Sequence, residues 1–214
     1  INNIAVIQSR NERINLLYTK KNLLKGKEEL VATVYKNYIG KKNLVVGCGE
    51  NHEIEKLSKL FTASRFVGID INIEKSSSGY NWIKMNQNAQ EMNFEKNEFD
   101  FVFCYHVLEH VELPEKVISE INRVLKETKY LFIGTPNKSR AIGYLSSDVS
   151  LKNKVAWNLI DWQNRLCGRF ENKFGAHAGF KSNELARLLN NQFDTVTNIT
   201  INITCPYIQT NHLL

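Results

Sequence analysis

Two histidines and a glutamate within one helical turn of each other are the residues of this sequence best suited to chemistry. They are His106, Glu109 and His110, in the segment YHVLEHV. Side chains three and four positions apart share a helix face, so this spacing can bring all three together. A histidine can take a proton from a hydroxyl or amine near neutral pH, and imidazole with carboxylate can bind a divalent ion. These residues could therefore form a general base or a metal site. In a third, structural interpretation, His110 is packed and hydrogen-bonded.

A glycine-rich segment forms a second candidate group. In NLVVGCGEN, the residues Gly47, Cys48 and Gly49 directly follow a short apolar run. Glycines let the chain turn tightly and let a ligand approach the backbone closely. The next apolar run ends at Asp70, roughly twenty residues later, where an acid in such folds accepts hydrogen bonds from ribose hydroxyls. The pairing of the glycine loop with Asp70 therefore predicts a nucleoside ligand.

The residues around the glycine loop restrict the kind of nucleoside. A dinucleotide site needs a third glycine three residues after the second, and that position is His52 here. No Gly-Lys-Ser/Thr follows the strand, which excludes a loop that cradles phosphates. The loop thus suits a ribose with a compact uncharged or cationic tail. S-adenosylmethionine fits that description better than a diphosphate does.

The motifs LVVGCG, GID and FDFVFCYHVLEHV together resemble class I S-adenosylmethionine-dependent methyltransferases, from Asn43 onwards. The resemblance implies an α/β, Rossmann-like, doubly wound fold. Its mostly parallel seven-stranded sheet would end in a C-terminal antiparallel hairpin and carry helices on both faces. It also implies S-adenosylmethionine as cofactor. The residues then expected to bind it are Gly47, Cys48, Gly49, Asp70, Ile71, Asn88, Ala89 and Tyr105.

The same resemblance implies an enzyme, a methyltransferase, with His106, His110 and His177 as candidate catalytic residues and no metal. His177 heads HAGFKSNEL, which is similar to a histidine, aromatic and helix-cap signature of the family. We expect a small or medium soluble acceptor, with O-methylation of a hydroxylated metabolite or sugar favoured. Two alternatives stay open. One is an RNA methyltransferase, although nucleic acid is the less expected partner; the other is an inactive cofactor-binding module, since Val45 and Asn51 depart from the family pattern.

The elements that must position these residues form a single predicted domain over residues 1–214. Residues 1–40 are predicted to be a helical N-terminal arm, and residues 138–176 an inserted substrate lid. The lid has seven basic and three acidic residues, a net charge of +4. Its apolar residues at helical spacing predict a helix: Val155, Leu159, Trp162 and Leu166. This helix either covers the substrate or packs Trp157 and Trp162 onto the sheet.

Composition sets broader limits. The chain has 214 residues, of which 43% are hydrophobic and 23% charged, as in one globular domain. No apolar run approaches the length of a membrane span, so we expect no membrane insertion. The four cysteines lie far apart, which favours reduced thiols in the cytoplasm. The net charge of +6 allows an anionic substrate without requiring nucleic acid, and the pattern does not predict an oligomeric state.

Overall fold

A computed structural model describes residues 2–8, 39–49, 53–144, 150–201 and 208–212. Five parallel strands form the centre of its sheet, in the spatial order β5-β3-β2-β6-β7. They are β2 (Lys42–Val46), β3 (Arg65–Asp70), β5 (Trp82–Asn86), β6 (Phe99–Tyr105) and β7 (Leu125–Pro136). Strand β6 is buried in all but its last residue, as expected for a strand covered on both faces. The predicted α/β, Rossmann-like architecture is confirmed.

The order of these strands creates a crevice. From β2 the chain moves outward through β3 to β5, and then returns to the other side of β2 for β6 and β7. Ligands of open α/β sheets bind at the carboxyl ends of the strands where the order reverses in this way. Residues that follow β2 and β6 are therefore the ones that meet at a binding site.

Antiparallel strands extend the sheet at both edges. The short β4 (Ser77–Ser78) pairs with β5, and β1 (Asn2–Gln8) lies between β7 and β8 (Thr195–Ile201). The last strand, β9 (Ile208–His212), pairs antiparallel with β8. The described residues thus form nine strands, where the sequence predicted seven.

The N-terminal arm also differs from the prediction. Residues 2–8 were expected to be helical, but they form β1, which is hydrogen-bonded to a strand on either side. The β-branched residues Ile4, Val6 and Ile7 favour this conformation. The remainder of the predicted arm, residues 9–38, lies outside the described residues.

Helices cover both faces of the sheet, as predicted. On one face α1 (Glu53–Leu60) packs Ile54 and Leu57 into a core with Val45 and Phe66. On the other face α2 (Pro114–Val124) and α4 (Ser182–Asn190) cover the larger core. The remaining helix, α3 (Leu151–Leu166), belongs to the lid segment.

The chain after the lid returns to the end of β7 through Gly179. The Phe180 amide donates to the Pro136 carbonyl over 3.0 Å, and the Lys138 amide donates to the Phe180 carbonyl over 3.0 Å. Gly179 has a φ of +78°, and a Cβ placed there would lie 1.7 Å from the Pro136 oxygen. Only glycine lets the segment that carries His177 lie so close to β7.

We expect Gly179→Ala to lower the free energy of unfolding by at least about 3 kcal/mol, because the new methyl group collides with backbone that cannot move aside. Urea denaturation measures this loss. The control is Gly168→Ala, where φ is +67° but no atom lies within 4 Å of the new Cβ. It should lose only the cost of a left-handed alanine, about 1 kcal/mol. Equal losses in the two variants would contradict the close approach at Gly179.

Candidate active site

The glycine loop and Asp70, which the sequence assigns to one predicted nucleoside site, are in direct contact. The Gly47 and Cys48 amides both donate to the Ile69 carbonyl, over 2.8 and 3.1 Å. The Gly49 amide donates to Asp70 Oδ2 over 2.9 Å, and the Asn72 amide donates to Oδ1 over 2.9 Å. Each carboxylate oxygen still has a second lone pair, so Asp70 can accept two further hydrogen bonds.

The surroundings of Asp70 fit an adenosine. Ile71 exposes 64% of its surface directly after the carboxylate, which offers an apolar contact for a base. The Gln87 amide donates to the Asp70 carbonyl over 3.3 Å, and this places the following residues, Asn88 and Ala89, near the same strand end. The Asn88 side-chain oxygen accepts from the Gln90 amide over 2.9 Å, so its amide nitrogen and the second lone pair of its oxygen are the groups it can offer a ligand.

Two predicted cofactor residues have side chains that face elsewhere. Cys48 is buried, and its Sγ lies 2.7 Å from the position of a Cβ on Gly68, so its side chain points into the core between α1 and β3. The Tyr105 ring lies over Gly134 of β7 and meets the His106 ring edge-on at 4.4 Å. Cys48 can therefore contribute only backbone to a ligand, whereas Tyr105 contacts a candidate catalytic histidine.

Glu109 lies at the centre of a buried hydrogen-bond network. Its side chain has no exposed surface, and its Oε2 accepts from the Thr135 hydroxyl over 3.1 Å. Its Oε1 lies 2.7 Å from His106 Nδ1, which donates because a carboxylate only accepts. This contact fixes the orientation of the imidazole, and Nε2 is the ring nitrogen that does not contact Glu109. His106 has a φ of +57°, a strained conformation of the kind that concentrates at functional sites.

His110 and His177 form a second pair of rings. Their centroids are 4.6 Å apart and their planes are inclined by 74°. Burial lowers the pKa of His110, and the nearby His177 and His106 lower it further, although Glu109 opposes them. His110 is therefore a neutral imidazole at neutral pH. His177 has a φ of +44°, and its carbonyl accepts from Arg140 Nη2 over 3.2 Å.

A cavity of about 600 Å³ opens beside these residues. The residues that line it come from the segment after β6 and from the end of the lid: Leu108, Glu109, His110, Val111, Glu112, Pro114, Glu171, Asn172, Lys173, Gly175, His177 and Phe180. Val107 packs against the glycine loop, since its Cγ2 lies 2.2 Å from the position of a Cβ on Gly47. His106 directly precedes Val107, and the carboxylate that it contacts, Glu109, is one of the residues that line the cavity.

Two arginines, Arg140 and Arg165, hold the lid together. Arg140 and Asp161 are each 6% exposed, and Arg140 Nη2 lies 3.1 Å from Asp161 Oδ2. Arg165 donates to the carbonyls of Lys138 and Arg140, over 3.0 and 2.8 Å, and its guanidinium lies 3.8 Å from the Phe170 ring centre. Both guanidinium groups are thus engaged in contacts within the lid.

Sequence reasoning missed two parts of this site. Thr135 gave no signal beyond its place at the end of a strand, and the ion pair of Arg140 with Asp161 joins residues 21 positions apart.

Within the described ranges, no group of three or more His, Cys, Asp or Glu side chains is placed to hold a metal ion. No helix in that part of the chain is long and apolar enough to cross a membrane.

Comparison with known proteins shows which families and enzymes this chain is similar to. A family described as a methyltransferase domain matches residues 44–133. The ubiquinone biosynthesis O-methyltransferase of Pelagibacter ubique is 28% identical over 160 residues, which cover 70% of this chain and 65% of that protein. An enzyme of the same name from Pseudomonas aeruginosa is 31% identical over 112 residues, covering 47% of this chain and 46% of that protein. The chain thus spans about half to two thirds of these relatives.

Solved structures share the fold. The plantazolicin methyltransferase BpumL, solved with a pentazolic desmethylPZN analogue and SAH, superimposes with a TM-score of 0.55 at 16% identity, covering 83% of this chain and 65% of that one. The YcgJ protein of Bacillus subtilis gives a TM-score of 0.51 at 15% identity, covering 78% and 68%. At such identities the likeness establishes the fold alone.

The lowered pKa of His110 predicts a loss of stability in mild acid. The unfolded chain takes up a proton near the ordinary pKa of 6.5, but folded His110 does so only at lower pH. The unfolded state therefore binds more protons across this window, and stability falls as the pH drops through it. Urea denaturation at about pH 7.5 and about pH 5.5 measures the loss. His110→Asn should reduce it; a variant that loses as much as the unmodified chain would contradict the pKa shift.

Proposed function

We propose that this chain, whose residues 44–133 match a methyltransferase domain family, is a class I methyltransferase that transfers the methyl group of S-adenosylmethionine to a hydroxyl of a small acceptor. One arrangement carries the proposal. Val107 contacts Gly47 of the glycine loop, and the preceding residue, His106, contacts the buried carboxylate of Glu109. Glu109 in turn lines a cavity of about 600 Å³.

The cofactor would lie across the ends of β2 and β3. Asp70 is placed to accept hydrogen bonds from the two ribose hydroxyls while it holds the loop through the Gly49 amide. Ile71, Asn88 and Ala89 surround the position of the adenine. Bound S-adenosylmethionine supplies an electrophilic methyl group on a sulfonium, so the protein has to align the acceptor and remove its proton.

His106 is the proposed general base. Its Nδ1–H donates to Glu109, so Nε2 is the nitrogen that can accept a proton from the acceptor hydroxyl. The buried carboxylate stabilises the imidazolium that results, and Thr135 holds the carboxylate in position. His110 and His177 line the cavity and are the proposed contacts for the acceptor.

The cavity suggests the class of acceptor. Its wall combines the apolar side chains of Leu108, Val111 and Phe180 with polar groups of His110 and His177. Such a lining suits a molecule with an apolar body and a hydroxyl group, such as a hydroxylated metabolite. Relatives named ubiquinone biosynthesis O-methyltransferase support an oxygen acceptor. The RNA alternative is weakened, because Arg140 and Arg165 are engaged within the lid.

We expect Asp70→Ala to weaken the binding of S-adenosylhomocysteine about a hundredfold or more, because two charge-assisted hydrogen bonds to the ribose are lost. Isothermal titration calorimetry measures the dissociation constant. Glu127→Ala, which removes an exposed carboxylate at the opposite end of β7, is the matched control and should bind normally. Unchanged affinity in Asp70→Ala would refute the ribose contact, and no affinity in the unmodified chain would refute the cofactor.

The proposed base predicts a separation of turnover from cofactor binding. Glu109→Gln and His106→Ala should each lower kcat about a hundredfold or more and leave the affinity for S-adenosylhomocysteine unchanged. Transfer of the labelled methyl group to catechols, hydroxybenzoates and hydroxylated sugars measures kcat.

Glu112→Gln is the control for these variants, because Glu112 is another carboxylate of the cavity wall and is exposed. Its kcat should stay close to that of the unmodified chain. If His106→Ala keeps full turnover, His106 is not the base. Transfer to RNA, with none of the small acceptors modified, would favour the RNA alternative.

A further inference from the structure

The lid helix α3 turns its apolar side towards solvent. Five of its large apolar residues are between 48% and 85% exposed: Leu151, Val155, Leu159, Trp162 and Leu166. Their spacing of three and four positions places them in one stripe along the helix. We call these five residues the apolar stripe.

The polar side of the same helix faces the protein. Asn158 accepts from the Gly143 amide over 2.7 Å and donates to the Gly143 carbonyl over 3.2 Å. One turn later, Asp161 pairs with Arg140 and accepts from the Tyr144 hydroxyl over 3.2 Å. A surface helix normally has the opposite orientation, with its apolar side buried. Turning the apolar stripe inward would break the buried ion pair, so the outward orientation is fixed.

Charge indicates what covers the apolar stripe. Both acidic residues of the described lid are paired within it, Asp161 with Arg140 and Glu171 with Lys138. Lys152 and Arg169, both exposed, then contribute to a surface of net positive charge. Two copies of this helix packed stripe to stripe would bring like charges together. An anionic bilayer surface instead complements both the positive charge and the apolar stripe.

We propose that α3 binds to the surface of an anionic lipid bilayer, with the apolar stripe in the interface and the basic residues at the headgroups. Trp162 lies within the stripe, and tryptophan is favoured at this depth. The helix has 16 residues and is too short and polar to cross a bilayer, so it lies in the plane of the surface. Binding in this way does not depend on methyl transfer.

Sedimentation of the full chain with vesicles tests the proposal. The protein should bind vesicles of phosphatidylglycerol and phosphatidylcholine, bind pure phosphatidylcholine more weakly, and be released by high salt. Replacing Leu159 and Leu166 together by glutamine should lower the partition coefficient about tenfold or more, since both side chains would leave the apolar phase.

The control replaces two other exposed apolar residues by glutamine, Leu60 on α1 and Ile160 on α3. They are 71% and 51% exposed, and Ile160 lies about 100° around the helix from Leu159. This variant should bind like the unmodified chain. The proposal is overturned if the unmodified chain does not bind, if both double variants bind equally, or if neutral vesicles bind as well as anionic ones. It is also overturned if ultracentrifugation shows a dimer that only the Leu159 and Leu166 replacement dissociates, without vesicle binding.

Discussion

The burial of the Glu109 carboxylate is the constraint on which the candidate site depends. A buried carboxylate is costly unless its oxygens find hydrogen-bond donors, and here Thr135 and His106 supply them. Thr135 ends β7, whereas His106 follows β6, so one side chain ties the ends of two neighbouring strands together. This link sets the distance between the glycine loop, which packs against Val107, and the cavity that begins at Leu108.

The parts of this arrangement that the sequence predicted all depend on local patterns. Apolar runs located the central strands, and glycines after one run with an acid after the next predicted one shared nucleoside site, where Gly49 and Asp70 are in contact. The carboxyl ends of parallel strands lie at one edge, so two short motifs fix a spatial relation once the sheet is assumed. Helical spacing predicted that His106, Glu109 and His110 would lie together; His106 does contact Glu109, but in a turn and not in a helix.

The parts that sequence reasoning missed depend on contacts between residues far apart in the chain, or on which side of a helix faces the protein. The strand at Asn2–Gln8 exists because β7 and β8 offer it two edges, which no local pattern shows. Periodicity predicted the lid helix but not its orientation. Trp157 and Trp162 could have packed on the sheet; they are 37% and 48% exposed because the buried pair of Arg140 and Asp161 decides which side faces inward.

Two histidines with strained backbones link the candidate site to the lid. His106 and His177 both have positive φ angles, which residues other than glycine rarely adopt. A hydrogen bond made by the backbone of each residue overrides this preference. The His106 amide donates to the Gly134 carbonyl over 2.8 Å, and the His177 carbonyl accepts from Arg140. Because Arg140 also binds Asp161, the pair that orients α3 positions the histidine of the cavity as well. The lid surface and the cavity wall are therefore parts of one hydrogen-bonded unit.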